Sequence, residues 1–274
     1  METRVQQGVF FPGFDGVADP HRLVQLAVEA ERAGWDGIFL WDHLLYDGGV
    51  TKILDPYISL AAIASATTTI QLGPMVTPLI RRRPQIVARQ AVTLDLLSHG
   101  RLILGFGIGD DGDVGELSRF GEVTDAVERG RALSEGLDVL TGLLTGEPVH
   151  HVGERYTIDD VTFQPTAARA GGIPIWLAAR WPNIAPLRRA AYYSGVFVIS
   201  MKNPEDVVQL RAQLTSFGAD LEHFDVVVSG FIGDDPSPWA KAGVDWFLNW
   251  IGPYNLDFDE VREMITNGPR RIET

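Results

Sequence analysis

The chain contains no cysteine in 274 residues. That absence excludes disulfides, thiolate metal sites and thiol nucleophiles together, and it fits a reducing compartment. No apolar run approaches the roughly 20 residues that cross a bilayer, and the N-terminus lacks the basic and apolar regions of a signal peptide. The expectation is a soluble, cytoplasmic protein with no membrane partner. Positive charge is scarce: 23 Lys and Arg against 36 Asp and Glu leave a formal net charge of -13. Such a surface repels nucleic-acid phosphates, so a polynucleotide partner is not expected. No Ser- or Gly-rich linker interrupts residues 1–274, which read as a single domain. A P-loop and a Gly-x-Ser-x-Gly nucleophile elbow are also missing.

What the chain does have is alternation. Apolar residues make up 45% of it and charged residues 22%, ordinary values for a protein with a buried core. Short apolar runs at Val9–Phe11, Gly37–Trp41, Ile70–Val76, Leu102–Phe106, Ile173–Ala178, Gly195–Ile199, Val226–Ser229 and Val244–Leu248 read as strands. Segments of helical spacing lie between them. Asp19-Pro20 is an N-cap with proline at the first helical position, Leu23, Leu26, Ala27 and Ala30 share a face, and Gly34 ends the helix. Pro84 opens another helix, with Gly100 as its C′ residue. About eight β/α units in a chain of this length point to a closed TIM (β/α)8 barrel rather than an open sheet. Val149 to Pro165 is predicted as a short hairpin or flap inserted before strand five.

In such a barrel the chemistry sits at the C-terminal strand ends. Strand two ends in Trp41-Asp42-His43, strand three in Thr77 and the basic turn Arg81-Arg82-Arg83, and strand four in Gly107 to Asp113. Strand five ends in Ala179-Arg180-Trp181-Pro182-Asn183. A histidine at a strand end shuttles protons near neutral pH or bonds a ring carbonyl; packing under Trp41 is the competing account. The arginine turn is either a phosphate clamp or a solvated turn. Gly105-x-Gly107-x-Gly109 departs from the dinucleotide fingerprint by one residue and reads as a close backbone approach or a simple turn. The acidic run Asp110, Asp111, Asp113 and Glu116 lacks calcium-loop spacing and reads as loop, so no metal is expected. Trp41, Trp181 and Trp250 stand at strand ends, where flat walls suit a planar ring; core packing is the alternative for each.

The combination of motifs resembles the bacterial-luciferase-like flavin-dependent oxidoreductases, in a short subgroup. The resemblance rests on Ala30-Glu31-Arg32-Ala33-Gly34-Trp35-Asp36-Gly37, Trp41-Asp42-His43, Val76-Thr77-Pro78 and Arg81-Arg82-Arg83-Pro84. It continues through Leu94-Asp95-x-Leu97-Ser98-x-Gly100-Arg101-Leu102, Arg180-Trp181-Pro182-Asn183 and Gly268-Pro269-Arg270. It implies a barrel that binds reduced FMN or, alternatively, the deazaflavin coenzyme F420, with Asp42 and His43 approaching the ring. It also implies a non-proline cis peptide near Met75-Val76 behind the ring, beside Thr77. A phosphate site is implied at Gly107, Gly109, Ala178, Ala179 and Arg180. Ala178-Ala179 stands where relatives commonly carry glycines; a methyl group there narrows the approach and restricts positive φ.

The leading expectation is an FMN-dependent monooxygenase or reductase of a small organic substrate, with a separate flavin reductase as a possible partner. The alternative is deazaflavin-dependent hydride transfer, with Arg81 to Arg83 facing the coenzyme's acidic tail. A third reading is a non-catalytic flavin-binding or apo barrel. A homodimer is a further expectation, with Trp246 and Trp250 as candidate apolar contacts.

Overall fold

A computed structural model describes residues 5–272. Strands β1 (Gln6–Phe11), β2 (Gly37–Leu40), β3 (Gln71–Pro74), β4 (Thr77–Pro78) and β5 (Leu104–Gly107) come from the first half. A hairpin of β6 (Val149–Val152) and β7 (Thr157–Val161) precedes β8 (Ile175–Arg180), β9 (Gly195–Ile199), β10 (Asp225–Phe231) and β11 (Trp246–Trp250). Helices α1 (Pro20–Ala33), α2 (Pro56–Ala66), α3 (Pro84–Leu97) and α4 (Ala126–Leu144) belong to the first half. The second carries α5 (Ile184–Ala190), α6 (Asp206–Ser216), α7 (Ser237–Ala242) and α8 (Phe258–Thr266).

The main sheet runs β3-β2-β1-β11-β10-β9-β8-β5-β4, and every pairing in it is parallel. Its two ends meet. β3 and β4 are halves of one stave, interrupted at Met75-Val76, whose peptide bond is cis. β4 pairs with β5 through Thr77↔Phe106, and Leu72 of β3 bridges Leu102 just before β5. The seam is close: a Cβ added to Gly73 would stand 1.8 Å from the Ile103 carbonyl oxygen. The result is a TIM barrel. Its interior is packed by a layer that includes Phe39, Trp176, Phe197 and Trp246, each at most 2% exposed. Trp246 therefore fills the barrel and cannot serve as a dimer contact. A larger core lies between the strands and the helical ring.

Local chemistry explains the boundaries. The Asp19 carboxylate accepts from the His21 and Arg22 amides, and Gly34 closes α1 at φ 88°. Asp55 caps α2, Asp125 caps α4 and Asp257 caps α8 in the same way. Helix α3 ends earlier than Gly100 implied, at Leu97, because His99 and Gly100 both take left-handed φ. Strand β1 begins at Gln6, ahead of the apolar run: Gln7 is buried, and its side-chain Nε2 donates to the Arg270 carbonyl at 2.7 Å.

Candidate active site

A cavity of about 1540 Å³ opens at the C-terminal ends of the strands. A drug-sized ligand pocket spans roughly 300–1,000 Å³, so this one has room for a cofactor and a second molecule. Asp42, His43, Met75, Val76, Gly107, Gly109, Ala178, Ala179 and Arg180 all line it. Thr77 does not. It is fully buried, with its hydroxyl between Tyr57 Oη at 3.1 Å and the Asp42 carboxylate at 2.9 Å.

The Trp41-Asp42-His43 turn leaves β2 into a buried charge network. Asp42 is 3% exposed and accepts from Thr77, from Arg82 Nε at 3.0 Å and from Arg81 Nη2 at 3.2 Å. With its oxygens bonded to two guanidinium groups, Asp42 holds the turn. Burial and the Asp42 charge also push the Tyr57 phenol up. Arg82 goes on to Asp55 at 2.9 Å. Arg81 goes on to Glu116 at 2.6 Å. Two of the three arginines are thus occupied by carboxylates, and Arg83 is an exposed N-cap residue of α3. Arg81 and Arg82 are therefore already taken as anion clamps, and of this turn only Arg83 stands exposed.

Glu116 is the group the sequence conceals. It lies in the acidic run read as loop, yet it is 3% exposed. It accepts from His43 Nδ1 at 3.1 Å, from Arg81 and from the Leu44 amide at 2.5 Å. Burial raises the carboxyl, but the bond and charge of His43, the charge of Arg81 and the Leu44 amide outweigh it and keep it ionised. An ionised carboxylate only accepts, so His43 Nδ1 carries the proton. Nε2 has no partner among the described residues, and the ring lines the cavity. No spacing rule links His43 to Glu116, 73 residues away; only barrel closure joins them.

The floor lies across the seam. A Cβ on Gly107 would come within 3.0 Å of Val76 Cγ2 and 3.4 Å of Ala178 Cβ, so only glycine keeps this surface flat. Ala178 and Ala179 sit in regular pairing with Phe197 and Val198, at negative φ. The restriction on positive φ that the alanines implied therefore has no bearing here. Arg180 is exposed and lies 3.7 Å from Asp110.

Two more cations, missed in the sequence, flank the floor. Arg129 of α4 is 7% exposed and lines the cavity; Nη1 donates to the Gly109 carbonyl at 2.9 Å, and Nε has no partner. Arg189 of α5 bonds Ser134 Oγ and the Gly130 carbonyl. The available signal was Arg129-Gly130-Arg131, about one turn into the helix that Asp125 caps. The other wall is aromatic. Trp41 and Trp250 stack with centroids 6.2 Å apart and planes at 20°, and Phe231 lies 4.5 Å from Trp250. Trp250 therefore lines the cavity. Trp181 packs against the core instead, so only two of the three strand-end tryptophans form this wall.

The luciferase-like monooxygenase family model matches residues 4–264. The chain belongs to that family. An F420-dependent glucose-6-phosphate dehydrogenase of Microbacterium testaceum is 32% identical over 68% of this chain and 54% of its own length. A limonene 1,2-monooxygenase of Rhodococcus erythropolis is 30% identical over 69% of this chain and 47% of its own. The chain thus spans about half the length of these curated relatives. Among solved structures, an F420-dependent secondary alcohol dehydrogenase in complex with an F420-acetone adduct superposes with a TM-score of 0.79. That match covers 97% of this chain and 100% of the other at 16% identity. A monooxygenase from Streptomyces bottropensis superposes with a TM-score of 0.78 at 19% identity, over 95% and 96% of the two chains. Both share the barrel fold. Among the described residues, no helix is long and apolar enough to cross a membrane.

Proposed function

We propose that this protein is a deazaflavin-dependent oxidoreductase that moves hydride between coenzyme F420 and a small organic molecule. Similarity over about two thirds of the chain to F420-dependent dehydrogenases carries this reading over FMN. The cavity's chemistry agrees with a phosphate-bearing, ring-containing coenzyme. Gly107, Val76 and Ala178 would lie under the ring, and Arg129, with its buried unpartnered Nε, would meet an anion beside Gly109.

When bound, the deazaflavin supplies a two-electron hydride donor or acceptor in which the missing N5 suppresses oxygen chemistry. The chain's own residues do the rest. Glu116 fixes the His43 ring and its tautomer, leaving Nε2 to take a proton from an alcohol or return one to a carbonyl. Trp41 and Trp250 exclude water from the reacting face. Asp42, Arg81 and Arg82 hold the turn that carries His43.

Reduced FMN with oxygen is the second reading, and the limonene 1,2-monooxygenase relative favours it. Fluorescence titration with each coenzyme, followed by oxygen-electrode measurements on the reduced complex, separates the two. F420 binding at least tenfold tighter than FMN, without oxygen uptake, is expected. Preferential FMN binding with substrate-stimulated oxygen uptake would replace this reading with the second.

A further inference from the structure

The cavity's lining cations are confined to one side, where Asp110, Asp111 and Asp113 also line it, and the cation-free side bears on which molecule shares it with the coenzyme. These cations, Arg129, Arg131, Arg180, Arg189 and Lys202, come from α4, α5 and the ends of β8 and β9. Around the barrel β1, β2 and β11 lie away from these strands. There the lining is Phe10, Trp41, Tyr46 and Trp250, continued by Phe231 at the end of β10, and the charges beside them are carboxylates.

Three acidic groups line that side. Asp47 is held by Tyr254 Oη at 2.6 Å. Asp234 accepts from the Phe231 amide at 2.7 Å. Asp235 is kept below the ordinary carboxylate range by the Ser237 amide and stays ionised. The nearest arginines on the strand-two side, Arg81 and Arg82, are already paired with Asp42, Glu116 and Asp55. A phosphate ester placed against this wall would meet like charge and find no free guanidinium. The wall also holds two donors of its own: the indole Nε1 groups of Trp41 and Trp250 are buried and have no acceptor among the described residues.

We infer that the second molecule is a neutral cyclic or aromatic alcohol, or its ketone, with its apolar body on the Trp41–Trp250 wall. Phosphorylated sugars are disfavoured. The inference rests on the hydride-transfer reading and specifies its substrate class. In the oxidising direction the carbinol hydride passes to the oxidised deazaflavin and the hydroxyl proton to His43 Nε2. The products are the ketone and the reduced coenzyme, so electrons and protons balance. Planar stacking and one acceptor oxygen are the chemistry that this wall recognises.

The test uses the protein loaded with oxidised F420. Tryptophan fluorescence reports binding of cyclohexanol, 1-phenylethanol and glucose 6-phosphate, and coenzyme absorbance reports turnover. The neutral alcohols are expected to bind at least tenfold more tightly than the sugar phosphate, and Trp250→Ala to weaken them about tenfold. Tighter binding or faster turnover of glucose 6-phosphate overturns the inference and leaves the coenzyme reading standing. So does failure of both neutral alcohols to bind at millimolar concentration, or unchanged binding in Trp250→Ala. Failure of F420 itself to bind, measured first, overturns the reading beneath it.

Discussion

At the scale of single residues, His43 and Glu116 have separable roles. Removing a positioned general acid or base costs about 10²- to 10⁴-fold in rate. His43→Ala is therefore expected to lower kcat by about that factor while its circular dichroism and coenzyme affinity stay unchanged. Glu116→Gln keeps the shape but loses the charge on which Arg81 and His43 converge. Breaking one partner of a buried pair costs about 3–5 kcal/mol, moderated here because Arg81 retains Asp42. The expected signature is a lower melting temperature together with a displaced pH–rate profile. A normal profile in Glu116→Gln would assign the residue a structural role only.

At the scale of elements, Arg101 shows how one side chain terminates a helix from a distance. Five donor contacts reach Ser98 O, Thr67 Oγ1, Ile70 O, Ala64 O and Thr67 O, so the open carbonyls at the end of α2 are met by a residue entering β5. Glu31 performs the converse service, accepting the amides of Thr68, Thr69 and Ile70, which hold its carboxyl down at about 2 against the opposing effect of burial. Arg101→Met strands several buried carbonyls and is expected to destabilise the fold by about 2–5 kcal/mol. Chemical denaturation measures this, with coenzyme affinity unaffected because Arg101 lies outside the cavity lining.

Elements of this kind were legible where the cause is local. Asp19-Pro20 and Gly34 announce their helix because capping acts within one turn. The eight staves and His43 at a strand mouth were legible for the same reason. The sequence left hidden what depends on closure. Arg81 and Arg82 look like a clamp until Asp42, Asp55 and Glu116 arrive from three other segments. Trp246 looks like a surface residue until its strand turns it into the barrel. Residue type predicted each group's chemistry, and long-range contact decided what that chemistry is used for.

At the scale of the molecule, the barrel holds a titrating group near its N-terminal end. Burial raises the Asp225 carboxyl to about 6, although Trp176 Nε1 donates to it at 3.0 Å, and neighbouring Asp245 adds to the rise. An unfolded aspartate titrates near about 3.9, so the folded state binds this proton more tightly. Its contribution to stability is complete below about 4 and is lost as pH rises through about 6. Above that range the buried charge opposes folding by up to about 3 kcal/mol. Asp225→Asn keeps an acceptor for Trp176 and removes the charge. Calorimetry should find it more stable than the parent at pH 8 and nearly equal at pH 4; equal melting temperatures throughout would mean the group is not strained by burial.

The same barrel is not equally sewn around its circumference. Between β3 and β5 the rungs are few: Leu72 N to Arg101 O, Ile103 N to Leu72 O, and then the short β4 pairing. Between β10 and β11 the register runs unbroken for five residues. Local opening follows the thinnest stitching, so the wall should breathe first at Leu72 and Ile103, directly beneath Val76 and Gly107. A ring lying on that floor would rest on both lips of the gap at once. Deuterium uptake at those amides would then slow on coenzyme binding while β10 and β11 stayed unchanged, and the cofactor would act as the barrel's last stave.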